Sequence, residues 1–267
     1  MASATRQSIA AAKQQLTPLL AKADLKFAKE LFDLGAALAT SSQLRGILSD
    51  PSAESGAKSG IVKAVFGKSV SSTSLEFLTG LVALRWSRPR DLIIALEQLG
   101  VHAVASIAAK AGTIAEVESA LFAFQSAITG DSELQFALAD KNAPAEAKAK
   151  LAEALVGKKA SKEAALLIRA AVTAPGKRRA SVVLSEFAKQ VAAFAERLVA
   201  VVTVAGSIDK AQIARIEKTL STKYGHPMTV NVEVDPSILG GVRIQVAGDV
   251  IDGSIATRLK AAKLQLA

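Results

Sequence analysis

The sequence contains no cysteine, and its 267 residues include only two histidines, one tryptophan and one tyrosine. Without cysteine there is no disulfide, no thiolate nucleophile, no iron–sulfur cluster and no cysteine zinc site. His102 and His226 are then the sole nitrogen ligands a metal could use, and two histidines far apart in sequence fall short of the three or four ligands such a site needs. No metal and no cofactor is expected. Aromatic residues make up 4% of the chain, mostly Phe at apolar positions, which leaves few platforms for stacking bases. Long apolar runs are missing too. The longest, around Leu198 to Ala205, is far short of the ~20 residues of a membrane helix, so a soluble chain is expected. Met1 to Ala12 is rich in alanine and serine and lacks the apolar core of a secretion signal.

Half of the residues are hydrophobic and 21% are charged, enough apolar material to fill a core and too little polarity for a disordered chain. The length suggests two or three compact units. The net charge of +9 opens the question of an anionic partner. Its distribution argues against a basic tail: the excess is +5 over residues 1–110, +2 over 111–200 and +2 over 201–267. A mildly basic solvated surface is the simpler reading.

The chain repeats itself. Residues 25–105 match 115–195 without a gap at an offset of 90. Leu31-Phe32 falls on Leu121-Phe122, Leu44 on Leu134, Leu48 on Leu138, Asp50 on Asp140, Gly67-Lys68 on Gly157-Lys158 and Arg88 on Arg178. Each copy reads as helical. Phe27, Leu31, Leu34 and Leu38 recur at helical spacing, and Leu44, Ile47 and Leu48 make a short turn ending at Asp50-Pro51. Ser52 is placed as the N-cap of a helix carrying Ile61, Val65 and Phe66 that stops at Gly67. A further helix runs from about Ser72 to Trp86. Pro89 then opens a long one with Leu92, Leu96 and Leu99 on one face. Pro144, Gly157 and Pro175-Gly176 punctuate the second copy.

Near Leu198 the period changes from helical to alternating. Val199 to Val204 reads as a strand buried on both faces, followed by a helix with Ile213, Ile216, Leu220 and Tyr224 that ends at Gly225 and Pro227. Val230 to Val234 and Val242 to Val246 alternate as further strands. Gly248-Asp249 turns the chain into Val250-Ile251 as a hairpin partner, and Asp252-Gly253-Ser254 caps a last helix with Ile255, Leu259, Ala262 and Leu266. The expected fold is mostly α: two duplicated N-terminal helical bundles, residues 1–110 and 111–198, followed by a small C-terminal α/β domain, residues 199–267.

The run from Val230 through Asp235-Pro236, Gly240-Gly241-Val242-Arg243-Ile244 and Gly248-Asp249-Val250-Ile251-Asp252-Gly253-Ser254 to Leu259 resembles the C-terminal signature of the delta subunits of bacterial rotary ATP synthase, relatives of the mitochondrial oligomycin-sensitivity-conferring protein. Phe27 to Leu34, followed by Leu44, Leu48 and Pro51, is similar to the family's N-terminal bundle. The usual member carries one bundle before the tail. This chain carries two and resembles the long form of actinobacteria. The resemblance implies a non-catalytic stator component on the cytoplasmic face of the bacterial cell membrane, peripheral to it through the complex. It implies as partners the N-terminal segments of the alpha subunits, the C-terminal region of the b subunit and the beta subunit. In the family the partner helix lies between the first and fifth helices, which map to the stretches holding Ala28, Leu31 and Leu92, Leu96. For each of these four, facing its own core is an equally good explanation.

Other motifs point elsewhere and are weaker. Gly60 and Gly67-Lys68-Ser69 suggest the end of a phosphate-binding loop, but the spacing fails and Ile61 to Phe66 reads as helix. Asp249 and Asp252 invite a carboxylate-pair reading, which turn and cap positions explain better. Arg85, Arg88 and Arg90, with the Gly176 to Arg179 cluster, support the alternative of a basic helical scaffold that binds RNA or DNA. Nucleic acid is not the expected partner, and no enzyme is expected.

Overall fold

The computed structural model describes residues 3–140, 142–157, 160–174, 178–196, 199–224, 228–235, 240–246 and 249–252. The elements are α1 (Ser3–Leu20), α2 (Leu25–Thr40), α3 (Ser42–Ser49), α4 (Ser55–Phe66), α5 (Ser72–Ala83), α6 (Pro89–Ala111), α7 (Ile114–Gly130), α8 (Ser132–Ala139), α9 (Ala145–Val156), α10 (Lys162–Val172) and α11 (Ala180–Glu196), then β1 (Val199–Val204), α12 (Lys210–Tyr224), β2 (Thr229–Val234), β3 (Val242–Val246) and β4 (Asp249–Asp252). Two compact units result, Met1–Val191 and Ala192–Ala267. A mostly α fold with a small C-terminal α/β region is what the sequence led us to expect.

The duplication reaches the hydrogen bonds. Ser41 caps α3 by accepting from the Leu44 amide, and Asp131 at the matching position accepts from the Leu134 amide to cap α8. Ser71 and Ser161 cap α5 and α10 in the same way. Asp50 accepts from the Ser52 amide at 2.8 Å and Asp140 from the Asn142 amide at 2.9 Å. Arg45 donates to the last carbonyls of α2, and Gln135 donates to a carbonyl at the end of α7. These side chains satisfy amides and carbonyls that a helix end leaves open.

Four local expectations change. Ser52 is not the cap of α4: its amide and hydroxyl both bond Asp50 in a turn, and α4 starts at Ser55 behind Glu54, which makes no side-chain cap. The helix expected to reach Trp86 stops at Ala83, because Leu84 turns extended and the Trp86 indole N–H folds back onto the Leu81 carbonyl at 2.9 Å. β1 is deeply buried on one face only. Ala200, Val202 and Val204 are buried while Val201 and Thr203 are half-buried. β4 is longer than the expected Val250-Ile251: it runs from Asp249 to Asp252, which pair with Val246 and Arg243, and the cap role expected of Asp252 concerns a helix outside the described residues. The expected last helix, with Ile255, Leu259, Ala262 and Leu266, lies outside the described residues, as do Gly176, Gly225, His226 and Pro227.

One helix was not expected at all. α1 lays Ile9, Ala12, Leu16 and Leu20 against α5 and α6. Thr5 donates to the buried Asp91 carboxylate at 2.6 Å, Ser8 donates to the Arg85 carbonyl at 2.6 Å, and Lys110 donates to the Leu20 and Ala21 carbonyls. The offset of 90 that carries α2 to α5 onto α7 to α10 carries α1 onto residues 93–110, the body of α6. α1 packs on α5; α6 packs on α10. α6 therefore closes the first copy and opens the second. That double role explains its composition. It is long and apolar enough to cross a membrane, yet 78% of its apolar window is buried by its own bundle.

The second unit is a four-stranded sheet in the order β2-β1-β3-β4. β1 pairs parallel with β2 across the α12 crossover and antiparallel with β3. Alternation puts Ala200, Val230, Ile244 and Val246 on one face, where Ile216, Leu220 and Tyr224 of α12 pack with Met228. Glu217 and Ser221 of α12 accept from the Val230 and Met228 amides and hold the entry to β2 in register.

Candidate partner-binding surfaces

The described residues hold no cluster of His, Cys, Asp or Glu able to bind a metal. Gly60 lies inside α4 and Gly67 at its end, with its N–H on the Lys63 carbonyl, so the phosphate-loop reading dissolves into a helix end. Two of the five clustered arginines, Arg88 and Arg178, are engaged within the protein. Arg88 pairs with Asp91 at 3.5 Å, and Arg178 pairs with Glu97 at 2.5 Å and Glu186 at 3.1 Å. Glu97 is buried on α6. Burial pushes its carboxyl up, more than the Arg178 guanidinium, itself partly solvated, pulls it down. The Arg178 end of the cluster thus holds two helices of one unit together instead of facing an anionic partner.

Glu30 has the opposite balance. Burial raises it, but the Ser71 hydroxyl at 2.6 Å, the Ser71 amide at 3.1 Å, Ser74 and the Lys26 charge together bring it below the usual glutamate range. The acid on α2 thereby anchors the cap of α5.

Ala28, Leu31, Leu92 and Leu96 are each 0% exposed. All four are buried inside the bundle, in which α2 packs on α6 and a Cβ at Gly35 would lie 3.7 Å from that of Leu96. With α1 present, the first and fifth helices in chain order are α1 and α5, not the α2 and α6 that carry these residues. α1 and α5 meet where Gly80 faces Gln15; a side chain at position 80 would approach the Gln15 amide to 2.7 Å.

Exposed apolar side chains mark the outer surface instead. Phe122 on α7 is 71% exposed and Phe136 on α8 is 78% exposed. Sequence reading placed Phe122 opposite Phe32, and the two fare differently. Phe32 covers Gly100, where any side chain would come within 2.8 Å of its ring, and lies 6.0 Å from the Phe187 ring. Phe122 has no third copy to cover it. Phe136 was missed because helical spacing gives no sign of which apolar residues remain outside.

The model of the ATP synthase delta (OSCP) subunit family matches residues 101–266. The chain is 42% identical to the ATP synthase subunit delta of Leifsonia xyli over the full length of both, and 38% identical to that of Streptomyces coelicolor over 100% of this chain and 98% of the relative. The chain belongs to the ATP synthase delta (OSCP) subunit family. Among solved structures, a chain of the Toxoplasma gondii mitochondrial ATP synthase hexamer aligns with 62% of this chain and 94% of its own length at 16% identity and a TM-score of 0.29, too loosely to carry any argument.

Proposed function

We propose that this protein is a non-catalytic stator subunit of an F-type ATP synthase, joining the crown of the alpha/beta head to the membrane-anchored b subunit at the cytoplasmic face. Identity of 42% to a delta subunit over the full length of both chains, together with helical surfaces that carry exposed apolar side chains, supports this reading. The helical copies grip alpha N-terminal segments, with beta nearby, and the C-terminal α/β part holds b. Ala28, Leu31, Leu92 and Leu96 back the grip by fixing α2 on α6, and the partner helix meets α1 and α5 in front of them. The division into 1–110, 111–198 and 199–267 belongs to the same proposal, with α6 shared by the first two parts.

The physics of the task is modest. An amphipathic partner helix reads a groove through anchors at i, i+3, i+4 and i+7. Each buried Leu or Phe contributes about 1.5–3 kcal/mol before ordering costs, so a few anchors make a stable contact. Gripping head and stalk at separate sites multiplies the two affinities when both can engage. Affinity purification of the tagged chain from membranes of its own host is expected to bring alpha, beta and b in stoichiometric amounts. A nucleic-acid complex lost steeply with added salt would instead favour the scaffold reading.

A further inference from the structure

We infer that the second helical copy carries a docking groove of its own for one amphipathic helix of a neighbouring subunit, built by α7, α8 and the start of α11 and absent from the first copy. A hollow of about 240 Å³ lies there, with Ile128, Phe136, Leu138 and Ala180 as its apolar lining and Gln135, Arg179 and Ser181 as its polar lining. Phe136 stands 78% exposed and Val182, one turn into α11, 48% exposed. The first copy has Gly46 in place of Phe136, with nothing within 4 Å of its Cβ position, and Pro89 in place of Arg179. It has Leu92 in place of Val182, and Leu92 is 0% exposed. The second copy has thus gained an aromatic and a cation and left uncovered an apolar position that the first copy covers.

The occupant follows from charge and shape. The apolar part of the lining takes an apolar side chain from the partner, with the exposed Phe136 as its flanking contact. Arg179, exposed and in no ion pair among the described residues, calls for an acidic residue about one turn from that anchor. A second copy of this chain is disfavoured as occupant, because a two-fold contact through this face brings two Arg179 guanidinium groups toward one axis. A single cation over an apolar hollow is equally a poor match for a nucleic-acid backbone.

The groove rests on the stator reading for the source of its partner, and the test separates the two. A benzophenone-bearing phenylalanine analogue is placed at position 136 of the full chain in its native host, and the ATP synthase is purified after illumination. The expected result is a cross-link to an apolar residue on a helix of another subunit, with Asp or Glu within one turn. Phe136→Asp and Arg179→Glu, both at exposed positions, should each reduce incorporation of the chain into the complex about tenfold, as loss of a hot-spot contact does, while leaving its melting temperature unchanged. A chain found in the complex without any cross-link from position 136, or cross-linked to a second copy of itself, overturns the groove alone. A chain absent from the complex overturns the stator reading and the groove with it.

Discussion

Leu31 and Phe122 are neighbours in the repeat alignment by one position, yet the first is fully buried and the second stands largely in water. Leu31→Ala should therefore cost about 2–5 kcal/mol in urea unfolding, the usual range for a core leucine. Phe122→Ser should change stability by less than about 0.5 kcal/mol, as for most surface sites. Equal losses would show that the α7 face is covered in the free protein. Glu97 gives a pH signature. Its carboxyl is held above the ordinary range, so the folded chain keeps a proton that the unfolded chain releases first. Its contribution is fullest below the ordinary glutamate pKa and is lost as pH rises through the raised one. Urea unfolding of Glu97→Gln across that window should show the variant gaining on the wild type as pH rises. A gain in the other direction would mean that Arg178 outweighs burial.

At the scale of the element, α6 decides the architecture. Its end is set by Gly112 at φ +73°, where the Gly112 and Thr113 amides bond back to Ala109 and Ala108 and start the second copy. Only glycine takes that conformation without strain. Gly112→Ala, with open space around its Cβ position, should lower stability by about 1 kcal/mol through backbone strain alone, read as a drop in the melting temperature of the isolated chain. The helices from Phe27 onward were legible in the sequence because apolar periodicity and Gly, Pro and Asp punctuation agree in both copies. α1 was not. Shifted by 90, its buried Thr5, Ile9 and Leu16 fall on buried Ala95, Leu99 and Ser106, but its buried Ser8, Ala12 and Leu20 fall on Gln98, His102 and Lys110, which are not buried, so neither identity nor the full burial pattern repeats. Ser52 misled for another reason: α4 begins only at Ser55, so Ser52 lies too far upstream for its hydroxyl oxygen to accept from a first-turn amide, and it sits instead in a turn closed by Asp50.

For the whole molecule, the family was legible in the tail and the repeat, whereas the contact surface was not. Ala28, Leu31, Leu92 and Leu96 were reached by counting helices, and the unexpected α1 shifts that count by one. Periodicity identifies an apolar stripe but does not distinguish one that meets its own bundle from one that meets a partner. Burial places Ala28, Leu31, Leu92 and Leu96 inside the bundle and leaves Phe122, Phe136 and Val182 outside it, and no periodicity in the sequence separates the two groups. As proposed, the chain is a mechanical link between head and stalk, and ATP-driven proton pumping in inverted membrane vesicles from a host lacking the gene puts that link to the test. Pumping is expected to be abolished, ATP hydrolysis to move to the soluble fraction, and the purified chain, added back, to restore both. Vesicles that lack the chain and still pump at the wild-type rate would contradict the proposal.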